Sequence, residues 1–386
     1  MTNSWNKIKN LVTRFKGLTT IGFANIVINV ISGLFWIYVA RLLGAVHYGE
    51  ISYLLAVIGI GTIISYLGSG TTLTVYSAKG VKIQSTVYFI SIVAAIITAI
   101  VLFLIFYNIG VSLFVIGNVI FSLGTSELMG RKAFKMYAVY LISQKILMVG
   151  LAIPLYHGIG PNGIILGVAL SFFPFFYRIY QGFRETKIDF SIIKPRLGFM
   201  LHNYILDLSR QSGTTIDKLI VAPMLGFALL GNYQLGTQFL SILGLLPGIV
   251  FSYILTHDAS GNPNKKLKSV TVLSSIILAI LGITVSPIVV PIFLPKFIES
   301  IQVIQIISLS LIPGSINLMY ISKFLGSEKS KIVLVGSGIY LAAQIPAIIL
   351  LGKVFGVNGV AVAIVLATLT ETMYLVIINN FIQKKN

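Results

Sequence analysis

Residues 84–106 read QSTVYFISIVAAIITAIVLFLIF, an apolar run without a single charged side chain. A bilayer's hydrocarbon core, about 30 Å thick, is crossed by about 20 apolar residues in a helix. In lipid the backbone must satisfy its own hydrogen bonds, which leaves helices or closed barrels. The run lacks the two-residue alternation of a barrel strand. A transmembrane helix is the reading that remains.

Working outward, comparable runs are predicted at 18–43, 50–77, 110–129, 135–156, 161–180, 199–224, 228–256, 269–294, 300–322, 332–351 and 357–380. The chain has 386 residues, 56% hydrophobic and 10% charged, with a mean hydropathy of +0.95. That balance excludes an ordinary soluble globular protein and predicts an all-α polytopic membrane protein of twelve transmembrane helices. The first run is too long for a signal-peptide core and no small-residue cleavage pattern follows it, so it reads as a retained span. Cysteine is absent, which excludes disulfides and thiolate metal sites.

The net charge of +18 reads as a topology signal and not as a nucleic-acid footprint. Of the 28 Lys and Arg, 22 fall in the tails and on alternate loops of one side. The other side holds Arg41, Lys296 and Lys353, while Lys145, Arg210 and Lys218 fall inside helices. Basic loops stay in the cytoplasm, so both termini are expected there, in a multi-pass protein of the cell (cytoplasmic) membrane.

Arg184 to Pro195 is the long polar connection before the C-terminal half, and predicts an N-terminal bundle over 1–183, a cytoplasmic linker over 184–198 and a C-terminal bundle over 199–386. The halves partly repeat. Val39-Ala40, Leu43-Gly44 and Gly49 recur at an offset of 182 as Val221-Ala222, Leu225-Gly226 and Gly231. Gly160, Asn162 and Gly163 recur at an offset of 196 as Gly356, Asn358 and Gly359, and Gly130, Lys132 and Lys135 face Gly326, Glu328 and Lys331. Six spans per half give both halves the same orientation, so two six-helix bundles related by a pseudo-twofold axis along the membrane normal are expected, with a cavity between them.

Polar residues in the spans are the candidate site. Asn25, Asn29, Ser32 and Trp36 share one helical face, and adding 182 gives Asp207, Gln211, Thr214 and Lys218. Such faces either line a cavity or hydrogen-bond helix to helix. Ionisable groups in a bilayer cost several kcal/mol and mark water, a partner or a ligand. They are Lys145, Asp207, Arg210, Asp217, Lys218 and Glu371. Lys145 and Arg210 lie roughly 14 to 17 Å from the cytoplasmic end, near mid-bilayer. Asp207 and Arg210, three apart, are able to neutralise one another, and Asp217 and Lys218 are expected nearer the outer end in wetter surroundings. Glu371 has no base near it in sequence, which makes it a partner for another helix or a protonatable group. Glu127 reads as an interfacial pair with Arg131, and Asp258 to Asn264 as a turn-rich loop. The four histidines lie near helix ends with no metal-site spacing. No phosphate loop, metal-ligand cluster or other cofactor motif is present, so neither an enzyme nor a cofactor is expected.

At Ala40-Arg41-Leu42-Leu43-Gly44, Tyr48-Gly49, Leu67-Gly68-Ser69-Gly70, Ile216-Asp217-Lys218, Leu225-Gly226, Gly231-Asn232-Tyr233, Phe293-Leu294-Pro295-Lys296-Phe297 and Gly356-Val357-Asn358-Gly359, the chain resembles the oligosaccharide flippases of polysaccharide biosynthesis. They belong to the superfamily of multidrug, oligosaccharidyl-lipid and polysaccharide exporters. The resemblance implies two six-helix bundles around an alternately opening cavity. It implies a cargo of isoprenoid diphosphate-linked oligosaccharide with its tail in membrane lipid, and glycan polymerase or glycosyltransferases as partners. Lys145 and Arg210 would then hold the diphosphate, the Arg as a bidentate fork and the Lys as a point charge, with Asn25, Asn29, Gln211, Thr214 and Lys218 lining the cavity. Asp207, Asp217 and Glu371 would serve ion coupling or ion pairing, the role that matters most in the alternative, an ion-coupled exporter of drugs or organic cations with the same fold. A scaffold of a glycan-assembly complex would use the same helices without transport.

Overall fold

The Gln84–Phe106 run is one unbroken helix in a computed structural model of the chain. The structure describes residues 16–259 and 264–385, without the side chains at 16–19, 209, 210, 212, 214, 252, 256, 259, 384 and 385. Along Gln84–Phe106 the buried positions include Ser91, Ala95 and Ala99, while Ile97, Ile100, Val101, Leu104 and Ile105 are exposed. Lys265–Phe293 repeats the pattern, with Thr271, Ser275, Ala279 and Gly282 buried and Leu273, Ile277, Ile280 and Ile288 exposed. Small and hydroxylated residues inward and large aliphatics outward is the arrangement lipid favours. Lipid tails are as apolar as Leu, so close backbone approach through small residues does the packing.

Every regular element among the described residues is helical. Eight of these helices are long and apolar enough to cross a membrane, nine if Phe227–Leu243 with Leu245–Leu255 counts as one span. Two of them, Thr20–Tyr66 with 47 residues and Ser330–Gln383 with 54, would reach roughly 70 to 80 Å if straight, more than twice a hydrocarbon core. Each is interrupted by a non-helical glycine, Gly44 or Gly356. Leu197–Leu225, expected to cross, is not among the eight; Asp207, Arg210, Asp217 and Lys218 make it the most polar of the long helices.

The bends recur as the sequence repeat requires. Gly44 (φ 72°, ψ 176°) is matched at offset 182 by Gly226 (φ 86°, ψ 167°), and Gly160 (φ 72°, ψ −154°) at offset 196 by Gly356 (φ 60°, ψ −142°). These backbone angles are essentially open to glycine alone. Three residues after each of the latter pair, a Cβ on Gly163 would stand 2.2 Å from the Leu155 carbonyl oxygen, and one on Gly359 2.0 Å from that of Leu351. Beside them Asn108 donates to Asn162 at 3.1 Å and Asn358 to Gln302 at 2.6 Å.

Several expected spans carry a local interruption of the helix, although Pro161–Glu185 and Ser300–Gly326 each still count as one of the eight. Residues 50–77 part at Leu67 and Gly68, both at positive φ, into a helix ending at Tyr66 and the helix Ser69–Ala78. Residues 161–180 part into Pro161–Leu170, a 3-10 turn Phe173–Phe175 around Pro174, and Phe176–Glu185. Residues 228–256 break at Gly244. Residues 300–322 break between Ser308 and Leu311, where Pro313 has no N–H to continue the ladder. The connection after Glu185 is short, and Asp189 caps the Phe190–Ile193 helix. Hydrogen bonds from the Ser191 hydroxyl and N–H hold its carboxyl below the usual range.

The chain packs as two compact units, Met1–Phe35 with Val57–Gln211, and Trp36–Ala56 with Ser212–Asn386. In the first, Leu73, Val87, Tyr88, Val119 and Leu123 form the core. In the second, Val221, Leu230, Tyr233, Val303 and Val360 do so. The short segment Trp36–Ala56 joins the second core through edge-on ring contacts of Tyr48 with Phe297 and Tyr53 with Phe227.

Candidate functional site

In the first unit the helix Phe134–Ile159 carries Gln144, which is buried and donates to the Ser171 hydroxyl at 2.9 Å. That bond fixes the helix's rotation. The next residue, Lys145, is turned about 100° round the axis. It is half-buried, close to the middle of its helix, and makes no hydrogen bond or ion pair among the described residues. Asn25 and Asn29 are exposed, also without partners among the described residues. Asp207 is half-buried, within electrostatic reach of Tyr66, and has further partners of its own, as does Gln211. The side chains of Arg210 and Thr214 lie outside the described residues.

The second unit gathers the other carboxylates. Asp217, expected in wetter surroundings, is buried; packing of Leu197–Leu225 into the Val221 and Tyr233 core takes it out of solvent. Its Oδ2 accepts from the Tyr233 hydroxyl, and its Oδ1 accepts from the Lys218 N–H at 2.8 Å and the Lys218 ammonium at 3.4 Å. Glu371 finds an amide instead of a base, accepting from Asn317 Nδ2 at 2.9 Å. Asn317 Oδ1 and Gln344 Oε1 are buried with no hydrogen-bond partner among the described residues. Tyr340 lies within electrostatic reach of both Asp217 and Glu371. Two carboxylates in a low-dielectric seam, served by phenol and amide donors and one lysine, can take up a proton or a cation.

Solved structures of transporters match this arrangement over nearly its whole length. A lipid II flippase MurJ in an inward closed conformation superposes with a TM-score of 0.79 at 15% identity, covering 93% of this chain and 87% of that one. The chain has the fold of the MOP superfamily. A multidrug resistance MATE family transporter of that superfamily, inward-facing, gives 0.66 at 15% identity over 92% and 95% of the two chains. A MOP superfamily transporter from Pyrococcus furiosus gives 0.54 at 14% identity over 94% and 93%. No family profile matches the chain, and no curated protein matches it by sequence.

Two polar clusters at the helix ends of this MOP fold escaped the sequence reading. Glu127, expected to pair with Arg131, does so at 2.6 Å, but it is fully buried and also bound by Arg178 through Nη2 at 2.7 Å and Nε at 3.0 Å. Tyr88 donates to the same carboxylate, and Glu185 bridges Arg131 and Arg178. Arg178 had counted as a loop base; the 3-10 turn at Pro174 ahead of Phe176–Glu185 carries it inward. Asp258, read as part of a loop, ends the helix Leu245–Ala259 and is paired with Lys268 and Ser322, each at 2.6 Å. An acid four residues from a base inside an apolar stretch was the visible signal for the first cluster. No local signal marked the second, whose partners lie 10 and 64 residues away.

Proposed function

We propose that this protein is a flippase which moves a lipid-linked oligosaccharide, a polysaccharide repeat unit, from the cytoplasmic to the outer leaflet by alternating access. It does so with twelve spans and both termini in the cytoplasm. The observation that carries this reading is Lys145, a base at mid-helix with no partner among the described residues. A cation held there costs several kcal/mol unless it meets water or an anion, and the diphosphate of an isoprenoid-linked glycan is such an anion. The sequence resemblance and the fold shared with a lipid II flippase support the same cargo class. Arg210 would supply the bidentate fork, with Asn25, Asn29, Gln211, Thr214 and Lys218 bonding sugar hydroxyls. Glycan polymerase or glycosyltransferases would consume or supply the cargo.

The test is to delete the gene and locate the lipid-linked oligosaccharide with a membrane-impermeant glycan label on intact cells and inverted vesicles. Accumulation on the cytoplasmic leaflet, reversed by the intact gene and not by Arg210→Ala, is the expected result. An unchanged leaflet distribution and unchanged surface glycan would overturn the reading.

A second reading, an ion-coupled exporter of drugs or organic cations, is favoured by the carboxylates of buried Asp217 and half-buried Glu371 with their phenol and amide donors. Under it, Asp217→Asn or Glu371→Gln removes resistance to cationic dyes and Lys145→Ala does not.

A further inference from the structure

The charge pattern leaves Arg41, Lys296 and Lys353 as the bases on the face opposite the termini. Two of the three converge. Arg41 and Lys296 line one cavity of about 230 Å³, walled otherwise by Ile292, Leu294, Pro295 and Phe297, with no acidic residue. Neither base makes a hydrogen bond or ion pair among the described residues. Two positive charges therefore share one cavity whose lining holds no acid to offset them.

Their placement is built into the fold. Arg41 stands one helical turn before the Gly44 bend. The Lys296 stem arches over that bend, its Cδ 3.0 Å and its Nζ 3.9 Å from where a Cβ on Gly44 would be. Lys296 sits in the 3-10 turn Pro295–Phe297, fixed from below by Phe297, which is fully buried and meets the Tyr48 ring edge-on at 5.8 Å. The repeat does not dictate the base, since Pro223 occupies the position equivalent to Arg41.

The cavity also has a depth. It opens where the apolar helix Lys265–Phe293 ends, beside the exposed side chains of Ile292, Phe293 and Ile298. That is the level at which acyl chains give way to headgroups. An anion that fits both the aliphatic rim and the paired bases carries a phosphate on a hydrocarbon tail. Arg offers phosphate a two-pronged fork and Lys a mobile point charge.

We propose that Arg41 and Lys296 form a binding site for the phosphate headgroup of a lipid in the outer leaflet. The site is separate from the mid-membrane positions assigned to the cargo. It rests on the orientation proposed above and not on the identity of the cargo, so it is tested by binding. An anionic phospholipid and an isoprenoid diphosphate share the required chemistry.

The full-length protein is incorporated into nanodiscs of phosphatidylcholine with phosphatidylglycerol, or with an isoprenyl diphosphate, and retained lipid is read by native mass spectrometry. Arg41→Gln with Lys296→Gln is expected to lower retention of the anionic lipid about thirtyfold, in keeping with two bases lost beside a charged headgroup. Lys353→Gln, which removes a base on the same face outside the cavity, is expected to leave retention unchanged. The charge-keeping pair Arg41→Lys and Lys296→Arg should hold most of it, which separates lost charge from lost fold. Whichever lipid displaces the other identifies the source of the phosphate. Equal retention in the double variant, or an equal fall with Lys353→Gln, overturns the site. Displacement of the lipid by inorganic phosphate alone overturns the assignment to a lipid. The chain has no cysteine, so Lys353→Cys reports the side directly. Labelling by an impermeant maleimide on intact cells is expected, and labelling only in inverted vesicles overturns the outer-leaflet placement.

Discussion

Gly49 and Gly231 hold the same helix crossing closed from opposite sides. A Cβ on Gly49 would stand 1.9 Å from the Phe227 carbonyl oxygen, and a Cβ on Gly231 would stand 1.9 Å from that of Ala45. The offset of 182 relates Gly49 to Gly231 and Ala45 to Phe227, so each glycine admits the backbone that its own counterpart's neighbour provides. No real Cβ fits at such distances. Gly49→Ala or Gly231→Ala should each cost about 1–3 kcal/mol, the usual penalty of overpacking. Both lower the unfolding midpoint of the solubilised protein. The double variant should cost less than the sum, since one separation of the helices relieves both clashes. Gly338→Ala, with nothing within 4 Å, should leave the midpoint unchanged or raise it.

The buried Glu127 carboxylate binds three helices together through Tyr88, Arg131 and Arg178. Arg178→Met removes the buried cationic partner and leaves a carboxylate with too little compensation. A loss of about 3–5 kcal/mol is expected. Adding Glu127→Gln should restore a large part of it, because the cost lies in the unpaired charge and not in the missing bond. Thermal unfolding of the two single variants and the double measures that coupling; additive losses would show that the pair acts independently.

The membrane class, the helical architecture and the paired bends were legible in the sequence, because each has a local cause. An uncharged apolar run must be a helix in lipid, and a glycine at 44, 160, 226 or 356 marks a backbone conformation other residues resist. The breaks inside spans were less visible. Gly244, Pro174 and Pro313 are common residues in transmembrane helices, and whether they interrupt one depends on which neighbour satisfies the freed backbone groups. The buried partners were not legible at all where they came from distant chain. Glu371 takes its hydrogen bond from Asn317 and Asp258 from Ser322, and nothing in the local pattern at 371 or 258 points to either. Lys145 was visible as a mid-span base, but its lack of a partner among the described residues is a property of packing alone.

Lys132 and Glu328, 196 residues apart, both take left-handed backbone at φ 58° and 60°, each two residues after a glycine. A side chain in that region crowds the following carbonyl, a penalty of about 1–2 kcal/mol. Glycine avoids it but adds freedom to the unfolded chain worth about 0.4–1 kcal/mol. Lys132→Gly and Glu328→Gly should therefore each raise stability by about 0.5–1 kcal/mol. Equal gains at both sites, read as matching shifts in unfolding midpoint, are expected from the shared turn geometry; a loss at either would mean that its side chain makes a contact worth more than the strain.

The intramembrane charges separate the two transport readings. Lys145→Ala should reduce surface glycan at least tenfold with the protein still present in the membrane, on the order of what one charge-assisted bond to a diphosphate contributes. Lys145→Arg, which keeps the charge, should retain most of the export. Glu371→Gln keeps the acceptor for Asn317 and removes only the charge, so under the flippase reading its effect should be small unless transport is coupled to a proton or cation. Glycan staining and membrane abundance measured together decide the matter. Loss on Lys145→Ala with Glu371→Gln active assigns the site to an anionic cargo. The reverse pattern, with loss of dye resistance on Glu371→Gln, assigns the Asp217 and Glu371 carboxylates to coupling in a cation exporter.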